Sequence, residues 1–434
     1  MTTWSDHVVK VGNDMRQLDR APDKLEDYRR EVEPWLTAVI QSENLALLVG
    51  SGLTTAVCRA ASVKAAQMAA VAFGCKYEDR VYEAAAESAM RMGRGEPNLE
   101  DQIRSALELI QGFRILRRKL ANRWEDALNR VLLNLVQSVL ASERAFLTSV
   151  TSGSNDGRRA RMLLVSFLLS FASRAATRER LRLFTTNYDR FIEYACDEAG
   201  LRIVDRFVGA LSPVFRSSRL DVDMHYNPPG IRGEPRYLEG VIHFTKLHGS
   251  LDWVADGRQI RRIGLPFGAP ESHPYVPSSP LGSVIVYPNP AKDVETNEYP
   301  YADLFRDFSS AVCRPNTALV TYGYGFGDDH INRVIRDMLS IPSTHLVIIS
   351  YDLASGRIPE FYSTVGRDAQ VSLLLGNHFA DLGTLVEFYL PKPAIEQISW
   401  RRTELLKRRG EGLEEKEQGR EEVAAGQEET ECQV

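Results

Sequence analysis

Asn44-Leu45-Ala46-Leu47-Leu48-Val49 is apolar after its first residue and stops at Gly50-Ser51-Gly52, with Thr54 and Thr55 close behind. A short apolar run closed by glycines reads as a buried strand entering a tight turn. Outward from it, similar runs recur at Leu181–Thr186, Leu201–Val208, Val241–Leu247, Ser283–Tyr287, Thr317–Tyr322 and His345–Tyr351. Helical patterns separate several of them, notably Tyr188–Ala199, which Gly200 stops, and Asp329–Leu339. Strands alternating with helices predict an α/β fold, a Rossmann-like doubly wound parallel sheet. Ligands of such sheets bind beyond the carboxyl ends of the strands, so polar residues at those ends are the functional candidates.

Between Ala56 and about Arg180 the pattern changes. EDRVYEAAAESAMRM, LEDQIRSALELIQGF and WEDALNRVLLNLVQSVLA repeat apolar residues at helical spacing, punctuated by Pro97 and Ser152–Gly157. This is a large helical insertion, suited to covering a site or building an oligomer interface. Arg158, Arg159 and Arg161 form a basic cluster within it, read as a solvated helix face. Residues 1 to about 40 read as a polar N-terminal helical cap ending near Pro34-Trp35. From residue 399 the chain is charged and nearly without apolar content, the composition of a disordered or frayed helical tail.

Composition narrows the function classes. The 434 residues are 44% hydrophobic and 26% charged, as in soluble globular proteins. No window approaches the eighteen or so apolar residues of a membrane span. MTTWSDHVVKVGND lacks the basic and apolar regions of a secretory signal. The net charge of −5 falls mostly on the tail, since Lys407–Val434 holds five Lys/Arg against nine Glu. The near-neutral remainder gives no global electrostatic reason to bind nucleic acid. Cys58, Cys75, Cys196, Cys313 and Cys432 form no CxxC pair, which argues against a zinc ribbon and a disulfide framework. The histidines show no linear metal-ligand spacing, so no metal is expected. The expected location is the cytoplasm.

Four clusters carry chemistry. Gly50-Ser51-Gly52 would let a pyrophosphate approach the backbone at a helix start, although the full GxGxxG fingerprint is absent and a plain strand-to-helix turn explains it too. Thr185-Thr186-Asn187-Tyr188-Asp189 places an amide and a carboxylate at one strand end, where Thr or Asn can also simply cap a helix. Leu247-His248-Gly249-Ser250 sets a histidine beside a glycine that leaves room for a ligand, against the common structural role of a lone histidine. Gly323-Tyr324-Gly325-Phe326-Gly327-Asp328-Asp329-His330-Ile331-Asn332 joins a glycine turn to a helix start.

In this order, across residues 44 to 350, the four clusters resemble the sirtuin family, and within it the sirtuin-like domains of bacterial antiphage defence proteins, as in HerA-associated and Thoeris-type systems. The fourth is close to that family's GYSFxDxHIN signature, and Ser283–Pro288 with Lys292 resembles the segment before it. The resemblance implies a sirtuin-like NAD-binding domain over residues 41–398. Gly50, Ser51, Gly52 and Thr54 would belong to the phosphate turn. Asn187 and His248 would be catalytic, with Thr186 and Asp189 near the nicotinamide ribose and carboxamide. Gly323, Tyr324, Gly325 and Phe326 would lie along the adenosine ribose, with His330 and Asn332 just beyond.

The family's deacylases carry two CxxC pairs and an IPDFR segment, both missing here. The implied activity is therefore NAD glycohydrolysis to nicotinamide and ADP-ribose, in a regulated NAD-depleting effector of antiphage defence. The alternatives are an NAD- or ADP-ribose-sensing module without turnover, and a deacylase or ADP-ribosyltransferase. The implied partners are further copies of the chain and a HerA-type ATPase, with no membrane and no direct nucleic-acid binding.

Overall fold

The computed structural model describes residues 4–392 apart from 24–25, 67–69, 92–95, 175–177, 219–222, 227–235, 257–258 and 281–298. The strand read at Ser283–Tyr287, Lys292 and the tail from residue 399 lie outside the described residues. Residues up to Leu390 pack as one compact unit.

A hairpin, β1 (His7–Val11) and β2 (Asp14–Leu18), precedes α1 (Arg29–Ile40) and β3 (Asn44–Val49). Then come α2 (Ser51–Ala60), α3 (Glu78–Arg91), α4 (Leu99–Ile115), α5 (Leu120–Thr151) and α6 (Asn155–Ala172), followed by β4 (Leu181–Thr185) and α7 (Phe191–Ala199). β5 (Arg202–Val204), the short β6 (Phe207–Val208), β7 (Val214–Phe215), β8 (His225–Tyr226) and β9 (Arg236–Tyr237) lead to β10 (Val241–Lys246), β11 (Trp253–Asp256) and β12 (Gln259–Arg262). The remainder is α8 (Tyr301–Val312), β13 (Thr317–Tyr322), α9 (Asp329–Leu339), β14 (His345–Ser350), α10 (Arg357–Val365) and β15 (Val371–Leu375), before short helical turns.

The main sheet runs β2-β1-β15-β14-β13-β3-β4-β10-β5. From β15 to β5 every neighbouring pair is parallel. β3, β13 and β15 are buried at every residue, as strands covered on both faces must be. The chain goes from β3 outward through β4 on one side and returns to β13 on the other, so the topology switches between β3 and β13. The register brings the strand ends level, pairing Val49 with both Tyr322 and Thr185, and Thr185 with Lys246. The four motif-bearing turns therefore leave the sheet along one edge.

The first forty residues differ from the helical cap expected of them. Only Arg29–Ile40 is α-helical there, and it continues through Pro34 because Val32, Leu36 and Ile40 are buried against the sheet. His7–Val11 instead pairs antiparallel with β15, as its valines favour. Lys10 makes this stretch look polar, yet it is 2% exposed and gives its ammonium to the carbonyls of Gly12, Asp368 and Val371 at 2.5–2.8 Å. The run read as one strand over Leu201–Val208 splits into β5 in the main sheet and β6 in a separate four-stranded sheet.

Helices α3 to α5 have a core of their own around Trp124, Leu128 and Ile103. A buried ion pair joins it to the sheet edge. Glu143 of α5, wholly buried, accepts from both the backbone and the guanidinium of Arg190, which directly follows Asp189, and from the Gly268 amide at 3.0 Å. Arg190 also donates to the carbonyls of Leu265 and Pro266. Removing one partner of such a pair leaves an uncompensated buried charge. Glu143→Gln should therefore cost about 3–5 kcal/mol, seen as a lower midpoint in chemical denaturation; an unchanged midpoint would mean the pair contributes nothing net.

Candidate active site

Gly50, at the end of β3, donates its amide to the Tyr322 carbonyl at 3.0 Å, and Gly52 donates to the Gly323 carbonyl at 3.1 Å. The turns after β3 and β13 are thus pressed together. A Cβ on Gly50 would sit 2.4 Å from the Gly323 oxygen, and one on Gly52 would sit 2.5 Å from the Gly323 Cα. Gly323 has φ +59, and its Cβ would lie 2.6 Å from the Gly52 Cα. These glycines are required first by each other, an explanation the sequence did not offer. The consequence is that α2 starts at the switch point with no side-chain cap and no acid in its first turn. Such a helix end favours an anion.

Two cavities flank it, of about 230 Å³ and 300 Å³, and share Ser51, Tyr324, Gly325 and Arg357 as walls. Gly50, Thr54, Thr186, Asn187, Asp189 and His248 line the first; Gly52 and Gly323 line the second.

Asn187 is 7% exposed, and both hydrogens of its amide are committed. Nδ2 donates to the Gly50 carbonyl at 3.0 Å and to Thr54 Oγ1 at 3.1 Å. Since a carbonyl can only accept, Nδ2 must face it, and Oδ1 is the atom left for the cavity. Thr54 Oγ1 in turn donates to Asp189 Oδ2 at 2.5 Å, while Asp189 Oδ1 accepts from the Phe191 amide at 3.3 Å at the start of α7. Asp189 thus acts through Thr54 on Asn187, a relay from carboxylate to hydroxyl to amide, while still lining the first cavity.

His248 follows β10 and is 2% exposed. Its Nε2 is 4.0 Å from Asp328 Oδ2, and its ring centroid lies 5.8 Å from that of His330 and 6.4 Å from that of Tyr188. The nearest ligand-type atoms of His248, Asp328 and His330 all fall within 4.8 Å of one another. No linear spacing announces this group, because β13 and its turn deliver two members and β10 the third.

Two residues of the fourth cluster brace it and line neither cavity. Buried Asn332 accepts from the Tyr324 hydroxyl and donates to the Phe326 carbonyl, both at 3.0 Å. Phe326 packs its ring against Tyr324 and Phe361 at centroid distances of 4.9 and 4.6 Å. Sequence reasoning missed Arg357, whose Nε donates to the Gly325 carbonyl at 2.6 Å and whose guanidinium borders both cavities. A single arginine at a helix start carries no motif. It also missed the insertion's share of the wall, namely Ala66, Asn98, Glu100 and Val139.

A larger cavity of about 530 Å³ lies against β4, β5 and β10 beneath α8, away from these turns. Of its arginines, Arg206 is paired with Asp307 and Arg314 with Glu179.

The SIR2-like domain family matches residues 181–366, from β4 to the end of α10. The match covers less than half of the chain and leaves the Gly50 turn outside it. At family level it points to NAD-related activity. No curated protein matches the chain. Among the described residues no helix is long and apolar enough to cross a membrane.

Because backbone atoms block a Cβ at the interlocked turns, Gly52→Ala should cost about 1–3 kcal/mol. Gly323→Ala should cost more, by the about 1–2 kcal/mol of a left-handed residue. Gly12→Ala, with positive φ but nothing within 4 Å, isolates that backbone contribution. Melting midpoints falling in the order Gly12→Ala, Gly52→Ala, Gly323→Ala, with the last lowest, are expected; equal midpoints would remove the interlock.

Proposed function

For this sirtuin-like domain protein, we propose that the paired cavities bind NAD and that Asn187 and His248 hydrolyse it to nicotinamide and ADP-ribose. The observation that carries the reading is Asn187, a buried amide whose hydrogens are held so that its oxygen faces the first cavity. A binding module needs no such fixation.

Breaking the nicotinamide–ribose bond needs neither redox chemistry nor a Lewis acid. The bonding pair goes to the pyridinium nitrogen, nicotinamide leaves neutral, and the ribose C1′ develops oxocarbenium character until water adds. Asn187 Oδ1 can accept a hydrogen bond from that water or a ribose hydroxyl and fix its direction. The His248 imidazole can take the proton released as the new C–O bond forms. The start of α2 and the Arg357 guanidinium suit the diphosphate between the two cavities. Tyr188, whose hydroxyl meets Glu100 of the insertion at 3.4 Å, closes the nicotinamide side against solvent. The same reading makes the protein a regulated NAD-depleting effector of antiphage defence, with self-association or a HerA-type ATPase as its controls.

Purified protein, alone and with its genomic neighbour's product, should release nicotinamide and ADP-ribose from NAD, followed by chromatography. Asn187→Ala and His248→Ala should each lower kcat by about 10²–10⁴. NAD binding without release under every condition would replace the hydrolase by a sensing module. Thr54→Val keeps the side-chain shape and cuts the relay. It should lower kcat by about tenfold or more with KM little changed, an effect of misdirecting Asn187; a change in KM alone would make Thr54 a binding residue only.

A further inference from the structure

We propose that His248, Asp328 and His330 form a site for one divalent transition-metal ion of the zinc class, and that the bound ion silences the enzyme by occupying His248. Two imidazoles and a carboxylate converge, with their ligand atoms within 4.8 Å of one another. Asp328 precedes α9 without capping it through its side chain, and its carboxylate points instead toward Nε2 of His248 at 4.0 Å. His330 sits two residues further on, its ring edge-on against Phe305 at a centroid distance of 4.6 Å and 72°. The His248 and His330 rings are inclined by only 34°.

The donor set selects the metal. Magnesium and calcium take oxygen ligands, whereas two imidazole nitrogens with one carboxylate suit zinc and its neighbours. Zinc bonds of about 2.0–2.2 Å place tetrahedral ligand atoms about 3.3 Å apart, so from separations of up to 4.8 Å the three groups need to close by at most about 1.5 Å, within the reach of side-chain torsions. Three protein ligands leave a fourth position open toward the first cavity, which His248 and Asp328 line. A metal-bound imidazole nitrogen has no lone pair left to accept a proton. The silencing therefore rests on the hydrolase reading above, while binding of the ion does not.

Binding is measured on the full chain by titrating Zn²⁺ against a chromophoric chelator, with Co²⁺ as the visible probe. One equivalent should bind, and zinc-edge X-ray absorption of the parent should show nitrogen and oxygen ligands including two imidazoles. Asp328→Asn and His330→Ala, each checked for folding by circular dichroism, should weaken binding at least tenfold. Absence of a saturable equivalent, sulfur in the coordination shell, or unchanged affinity in both folded variants would overturn the site. Nicotinamide release by chelator-treated parent should then fall at least tenfold on adding one equivalent of Zn²⁺, and unchanged turnover with the ion bound would overturn the silencing. A parent that binds Zn²⁺ as described yet releases nothing even with chelator keeps the site and removes the hydrolase. A parent that turns over but binds no Zn²⁺ does the reverse.

Discussion

The turns after β3 and β13 meet backbone to backbone, and the rest of the cleft depends on that contact. Gly52 donates to the Gly323 carbonyl while three Cβ positions are denied by the opposing main chain. The contact brings the start of α2 to the switch point of the sheet, where Ser51 borders both cavities. It also places the Gly50 carbonyl within 3.0 Å of Asn187 Nδ2. Any separation of the two turns would move the helix end and the amide together, so the position of the helix end and the direction of Asn187 are one structural property.

The second support comes from outside the sheet. Asp189 orients Asn187 through Thr54, and the next residue, Arg190, is held by Glu143 of the insertion. The strand-end loop is thereby gripped from both sides of a single peptide bond. The insertion that contributes Asn98, Glu100 and Val139 to the wall is thus also what immobilises the loop carrying the amide. Covering the site and positioning its chemistry are the same task for these helices.

Much of this was legible in the chain and some was not, for physical reasons that differ by residue. β3, β13 and β14 read correctly because strands covered on both faces are continuously apolar. The motif turns fell at strand ends for the same reason. β1 did not read as a strand because Lys10 hides its charge in three carbonyls, a solution invisible to hydropathy. Asn332 and Phe326 looked like ligand contacts because they share a motif with residues that line the cleft, yet their bonds run back into the loop. Arg357 and the His248–Asp328–His330 group needed the fold, since their meaning lies in proximity between separated segments.

Backbone strain also lies along this edge. Of the seven non-glycine residues with positive φ among the described residues, Phe326, Ala354 and Ser355, at +51, +50 and +56, belong to loops beyond β13 and β14. Residues so placed cost about 1–3 kcal/mol each and persist only where neighbours fix them. Phe326 is fixed by Asn332 and by two aromatic rings, and Ala354 by an Asp352 carboxylate 2.8 Å from its amide. The left-handed run from Ala354 to Gly356 ends where Arg357 begins α10, so it aims a guanidinium that borders both cavities. A relaxed right-handed turn would start that helix elsewhere. The energy held in these loops fixes the position of charge at the cleft, because the arginine that borders both cavities begins where the left-handed run ends.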